Sequence, residues 1–189
     1  MPYTKNFVLL GSSGSGKGTQ AKLLVERFGN LHHISTGDLF RNLAAANTFV
    51  SERVAGILRE GGFPPDDLAE ALLINAISFR VRGGEGFVLD GFPRTKPQVG
   101  VLDRFLNFLN VKDDTFFVLI DVSRPEAFKR MMERGRSDDS GDSINSRLDL
   151  FEKEVMPVVK RYKRENRLIL VNGEQNALDV HRGIISKSR

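Results

Sequence analysis

The run Gly11-Ser12-Ser13-Gly14-Ser15-Gly16-Lys17-Gly18-Thr19-Gln20 has the residue types of a phosphate cradle. Glycines let successive backbone N–H groups turn toward one anion, and Lys17 adds an ammonium. The apolar stretch Phe7-Val8-Leu9-Leu10 precedes the loop. A helical pattern carrying Ala21, Leu23, Leu24 and Phe28 follows it. Strand, glycine-rich loop and helix N-terminus together form an anion site, whereas a Gly/Ser linker has no reason to lie between a buried strand and an amphipathic helix. One position departs from the strict pattern. Ser or Thr, whose hydroxyl binds magnesium, is expected after the lysine. Gly18 stands there, and the hydroxyl arrives at Thr19. Metal support must come from another group.

Asp90-Gly91-Phe92-Pro93-Arg94-Thr95-Lys96-Pro97-Gln98 supplies that group. Asp90 ends the apolar run Gly86-Phe87-Val88-Leu89, where phosphates should lie. Magnesium keeps several waters and takes one or two carboxylates, so Asp90 suits a water-mediated site. Arg94 is a permanently charged fork suited to phosphate. Gln98 carries a donor and an acceptor that can read a base edge. His32, His33 and His181 are scattered and indicate neither metal ligation nor general-base work.

The elements that must position these groups alternate in type. Apolar strands are expected at 7–10, 31–34, 86–90, 115–121 and 166–172, with helical patterns between them. Such near-continuous apolar runs imply a parallel sheet covered on both faces, with ligands at the strands' carboxyl ends. Three helical patterns lie between the second and third strands, one capped by Ser35 or Thr36 and one begun by Thr48 or Ser51. They form a helical subdomain. Helices are also expected at 125–134, at 143–164 with a bend at Pro157, and at 176–185. The tail 186–189 is expected to fray.

The 189 residues suit one compact domain, and 40% hydrophobic with 28% charged residues is ordinary for a globular protein. The absence of cysteine excludes a disulfide scaffold and a cysteine-bound zinc site, and is compatible with the cytoplasm. No apolar run reaches the ~20 residues of a membrane span. The N-terminal residues lead straight to the first strand without the pattern of a signal peptide. A net charge of +4 fits arginines gathered around phosphates; no aromatic-interleaved basic stripe points to nucleic acid.

Three ordered stretches, Gly11 to Gln20, Ile34 to Arg41 and Gly86 to Gln98, resemble the motifs of the adenylate kinase family of nucleoside monophosphate kinases. The similarity covers nearly the whole chain. It implies a Rossmann-like P-loop NTPase fold of three α/β/α layers around a five-stranded parallel sheet. A single domain over 1–189 would contain a helical NMP-binding subdomain at 36–80 and a short lid at 134–143. The implied reaction is reversible, Mg²⁺-dependent transfer of the ATP γ-phosphoryl to AMP, giving two ADP. Carried onto this chain, the resemblance assigns the donor phosphates to Gly14, Ser15, Gly16, Lys17, Gly18 and Thr19. It assigns the AMP adenine to Thr36 and Gln98, the AMP phosphate to Arg41 and Arg94, and magnesium to Asp90 through water. Lys17, Arg94, Arg134, Arg136 and Arg147 become the catalytic cations. The family tolerates Gly18, and Ser13 replaces its usual proline. Pro64 replaces a common aliphatic residue whose carbonyl meets the adenine amino group, and proline keeps that carbonyl. The Phe92–Pro93 bond is expected to be cis. With about eight residues between Gly135 and Ser143, the lid is of the short type without zinc; Asp138 and Asp139 either close this loop or are solvated. Partners are small nucleotides, without nucleic acid or membrane, and the chain is expected to be monomeric. Two other readings remain, a UMP/CMP kinase on the same fold and a non-catalytic nucleotide-binding module. Thr36 and Gln98 favour adenine, and the retained Lys17, Asp90, Arg94 and lid arginines favour catalysis.

Overall fold

Five short strands carry side chains alternately to two faces, and both faces are covered. The computed structural model describes residues 5–188. The strands are β1 (Asn6–Leu10), β2 (Leu31–Ser35), β3 (Gly86–Asp90), β4 (Thr115–Asp121) and β5 (Leu168–Asn172). They form one sheet in the order β2-β3-β1-β4-β5, and every pairing is parallel. Parallel neighbours require crossovers, which the helices supply. These are α1 (Lys17–Phe28), α2 (Thr36–Ala44), α3 (Phe49–Arg59), α4 (Asp66–Arg80), α5 (Lys96–Phe108), α6 (Arg124–Arg134), α7 (Gly141–Leu150), α8 (Met156–Arg164) and α9 (Ala177–Lys187).

The period-two rule of a strand divides the core in two. Phe7, Leu9, Val88, Val118 and Ile120 face one layer, where Ala21 and Leu24 of α1 and Val180 and Ile184 of α9 meet them. Val8, Leu10, Leu89, Phe117 and Leu119 face the other, against Leu73 of α4, Leu102 and Leu106 of α5, and Val158 and Tyr162 of α8. A smaller cluster joins Ala127 and Met131 of α6 to Ile144 and Leu148 of α7. This is the expected three-layer architecture.

Helix boundaries follow local chemistry. Ser35, rather than Thr36, caps α2 by accepting from the Asp38 N–H. A Thr48/Ser51 capping box starts α3, and a Ser140/Ser143 box starts α7. The expected helix over 143–164 is not continuous. It begins at Gly141, passes through a π-helical segment at Phe151–Val155, and resumes as α8. Pro157 has no N–H to offer the Lys153 carbonyl, and the wider π turn relieves the crowding there. The last strand starts at Leu168, because Asn166 adopts φ 53° in the turn that ends α8. The expected fraying at 186–189 is corrected as far as Ser188. Helix α9 runs to Lys187, and Ser188 is buried with its N–H bonded to the Ile184 carbonyl. The expectations for residues 1–4 and 189 lie outside the described residues. The motif at 90–98 also opens α5, a helix missing from the sequence expectations. Its signals were local: Thr95 accepts from the Gln98 N–H, and Pro97 sits in the first turn.

The three-helix excursion α2–α4 meets α7 at Gly61. There φ is +75°, and a Cβ would overlap the Ser143 carbonyl oxygen. Gly61→Ala is therefore expected to cost about 1 kcal/mol or more through the left-handed backbone alone. Gly56, inside α3, has open space at its Cβ position. Gly56→Ala should stabilise by about 0.5–1 kcal/mol. Urea denaturation of the two variants should give opposite shifts of the midpoint.

Candidate active site

The topology places one cleft at the carboxyl edge of the sheet. Strand β1 has β3 on one side and β4 on the other, so the chain reverses its direction of travel beside the loop that follows β1. A crevice at such a switch point is where open α/β sheets bind ligands. The cleft has a volume of about 700 Å³.

Residues Ser13 to Gly16 form its floor. The loop folds back through a Ser15 N–H bond to the Ser12 carbonyl at 3.1 Å. Gly14 has φ +84°, and a Cβ there would lie 2.5 Å from the Ala127 carbonyl oxygen. Only glycine lets the loop rest this closely on α6. Lys17 opens α1, and its Nζ donates to the carbonyls of Gly11 at 2.9 Å and Ser12 at 2.8 Å. Burial pushes the Lys17 ammonium down to about 8; Asp90 opposes that shift, and Arg94, Arg134 and Arg136 add to it. The buried Ser12 and Ser15 hydroxyls have no hydrogen-bond partner among the described residues. Donors of this kind beneath a helix N-terminus fit a phosphate group.

Asp90 stands at the end of β3. Burial would raise its carboxyl, but His33, Lys17 and Arg94 hold it below the usual carboxylate value. It therefore remains an anion among cations. His33 Nε2 lies 3.8 Å from Asp90 Oδ2, beyond hydrogen-bond distance. His33 lines the cleft, which the scatter of histidines in the sequence did not reveal. The signal was its place on β2, two residues before Ser35, which pairs with Asp90. A Cβ at Gly18 would sit 3.7 Å from Asp90 Oδ2. Glycine leaves that space open, and no cluster of three metal-ligating side chains exists among the described residues. One ionised carboxylate with room beside it fits a hydrated magnesium ion better than a bare one in a protein cage.

Arg94 donates through Nε to the Gly91 carbonyl at 2.7 Å and lies over the Phe63 ring at 4.5 Å. Burial pushes it down to about 10, with Asp90 opposing and Arg147 and Arg41 contributing, so it is charged at neutral pH. Arg41 pairs with Asp38 across one turn of α2. The Phe92–Pro93 peptide is cis, as expected.

The connection between α6 and α7, residues 135–140, brings further arginines. Asp139 receives two bonds from Arg134, both at 3.0 Å, and one from Arg147 at 2.6 Å. Arg147 also donates to the Asp138 carboxylate at 2.7 Å and to the Leu58 carbonyl at 3.3 Å. Asp138 and Asp139 are thus partly buried partners of the arginines and not solvated acids. Arg136 is exposed and has no side-chain ion pair within 4.0 Å among the described residues.

The cleft gathers nearly all the residues singled out from the sequence. Gly14 to Thr19, Arg41, Asp90, Arg94, Arg134, Arg136 and Arg147 line it together. On the α2–α4 side, Phe40, Leu58, Phe63 and Pro64 form an apolar part of its wall beside Asp38 and Arg41. From the β5–α9 side come Gln175, Ala177 and Val180, with Gln20 Nε2 bonded to the Ala177 carbonyl at 2.8 Å. Thr36 and Gln98 are the exceptions. They are buried behind the wall, and their side chains are engaged by protein groups. Thr36 donates to the Gly91 carbonyl at 2.8 Å. Gln98 bonds to Asp66 and to the Arg94 N–H, each at 2.7 Å.

Comparison with known proteins bears on the family of the chain. A family model described as adenylate kinase matches residues 9–167. An adenylate kinase of Oenococcus oeni is 36% identical over 174 residues, 90% of this chain and 92% of the relative. One from Parabacteroides distasonis is 36% identical over 89% of each chain. One from Porphyromonas gingivalis is 37% identical over 89% of this chain and 87% of its own.

The lowered Lys17 proton affinity has a measurable sign. A phosphate against Nζ favours the charged ammonium and raises its pKa from about 8. Binding of a nucleoside triphosphate at pH 8.5 should therefore take up protons, and affinity should fall as pH rises through that range. Calorimetry in buffers of different ionisation enthalpy reads the uptake. Lys17→Met should abolish it.

Proposed function

The chain belongs to the adenylate kinase family, and we propose that its cleft carries out the reaction ATP + AMP = 2 ADP with the residues assigned below. The observation that carries the reading is the convergence of Lys17, Arg41, Arg94, Arg134, Arg136 and Arg147 on one cleft, which Asp38, Asp90 and Asp138 also line. A site for one phosphate chain needs fewer cations. Two nucleotides whose phosphates meet end to end need about this many, arranged from both sides.

Gly14 to Thr19 and Lys17 hold the donor phosphates at the N-terminus of α1. Arg41 and Arg94 hold the acceptor monophosphate. Phe40, Leu58, Phe63 and Pro64 receive the acceptor base, with Gln98 and Thr36, buried behind them in this structure, as its polar readers. The wall at Gln175, Ala177 and Val180 receives the donor base. An oxygen of the AMP phosphate attacks the γ-phosphorus in line, the bond to the β-γ bridging oxygen breaks, and ADP departs from each side. The attacking oxygen is already anionic, so no side chain has to remove a proton. Catalysis is positioning plus charge stabilisation. Arg134, Arg136 and Arg147 stabilise the charge spread over the transferring group. Asp90 would hold magnesium through water, and the bound ion would neutralise phosphate oxygens.

Residues 36–80 act as the acceptor-binding subdomain and 134–143 as a short lid. Their closure excludes water as a competing acceptor. The enzyme works as a monomer in the cytoplasm on free nucleotides. Among the described residues no helix is long and apolar enough to cross a membrane.

An assay of ADP formation from ATP with AMP, CMP, UMP or GMP, with and without magnesium, tests the reading. AMP should give the highest kcat/KM, and activity should require the metal. A preference for CMP or UMP would overturn the acceptor assignment, and binding without turnover would overturn catalysis. Within this frame Arg136→Ala should lower kcat by about 10²-fold or more, because it removes charge needed only in the transition state. Unchanged turnover would exclude Arg136 from the catalytic set.

A further inference from the structure

Asp66 does not line the cleft, and the side chain it holds, Gln98, is buried behind the cleft wall. Asp66 is the first residue of α4, directly after the Phe63-Pro64-Pro65 segment. Its Oδ1 accepts from Gln98 Nε2 at 2.7 Å, and its Oδ2 accepts from Thr95 Oγ1 at 2.7 Å. Gln98 is 3% exposed, and its Oε1 accepts from the Arg94 N–H at 2.7 Å. An ionised carboxylate only accepts, and a backbone N–H only donates. The two partners therefore impose the same direction on the Gln98 carboxamide, with nitrogen toward α4 and oxygen toward Arg94. One N–H of Gln98 and one lone pair of its oxygen are left for other partners.

That direction carries information. Adenine presents an amino donor beside a ring-nitrogen acceptor on its Watson–Crick edge. Hypoxanthine presents a carbonyl acceptor beside an N–H donor. A carboxamide held one way round complements one edge and opposes the other. We propose that Asp66 is a positioning residue for acceptor-base recognition: by holding the Gln98 carboxamide in one direction it makes binding of AMP, but not of ATP, depend on a side chain outside the cleft. This rests on the reading of Gln98 as a contact of the acceptor base.

An acid in the first turn also favours the helix dipole, so the test must separate orientation from general stability. Steady-state kinetics of Asp66→Ala, Asp66→Asn, Gln98→Ala and the double variant, with AMP and with IMP as acceptor, do so. Losing one orienting hydrogen bond should raise the AMP KM about fivefold in Asp66→Ala and reduce the AMP-to-IMP preference in kcat/KM by a similar factor. The ATP KM should stay within about twofold, a smaller change than one such bond gives. Asp66→Asn should stay near wild type, since its Oδ1 still accepts from Gln98 and its Nδ2 can donate to Thr95. The double variant should be no worse than Gln98→Ala. If the alanine variant does not fold, Asp66→Ser repeats the test with a residue that suits a helix start but is too short to reach Gln98. A shift in Gln98→Ala with none in Asp66→Ala overturns the inference alone. Equal rises in both KM values, or loss of kcat with the base preference intact, reduce Asp66 to a structural acid. A silent Gln98→Ala overturns the base-contact reading and the inference with it.

Discussion

Like charges repel, and this protein collects them in a partly buried space. Lys17, Arg94 and Arg147 line one cleft, where Arg94 lowers the proton affinity of Lys17 and Arg147 lowers that of Arg94. The fold tolerates this because every one of these three cations has an oxygen partner. Lys17 has two loop carbonyls, Arg94 the Gly91 carbonyl, and Arg147 two carboxylates. Asp90 sits among them as the counter-charge, anionic in spite of its burial. The sheet makes the arrangement possible. Parallel strands end together, so Leu9 near the end of β1 and Asp90 at the end of β3 are register partners although 81 positions separate them in sequence.

Much of this was legible along the chain, because the informative signals were local. The apolar runs of β1, β3 and β4 read directly as buried strands. The glycine loop and Asp90-to-Gln98 stretch announced their chemistry by residue type and spacing. What sequence reading missed depends on distant partners. The pairing of Asp139 with both Arg134 and Arg147 is visible only once α6 and α7 are folded together. His33 reaches Asp90 through strand register, which no local pattern encodes. The engagement of Gln98 by Asp66 joins two helix starts 32 residues apart. The π-helical break before Pro157 was half legible. Proline marked the irregularity, but its placement N-terminal to the ring depended on how the turn found room.

The arginine–carboxylate cluster in the 135–140 connection gives a short segment unusual definition. Asp139 fixes two arginines at once, and Arg147 reaches across to the Leu58 carbonyl of α3. A partly buried multi-bond network of this kind positions side chains more than it adds stability, because desolvation offsets part of the attraction. Planar guanidinium forks suit that role, since each partner restricts both direction and rotation.

The contacts of Lys17 bear on turnover as well as on binding. Its two carbonyl partners belong to the loop that would cradle a phosphate. Capture of an anion there is an exchange of oxygen partners, so the net gain is the difference between two interactions and not the whole of one. The same difference governs departure. A leaving nucleotide returns the ammonium to its own backbone and not to an unsolvated void. The loop carbonyls would thereby compete with any bound anion for the Lys17 ammonium, with substrate and product alike.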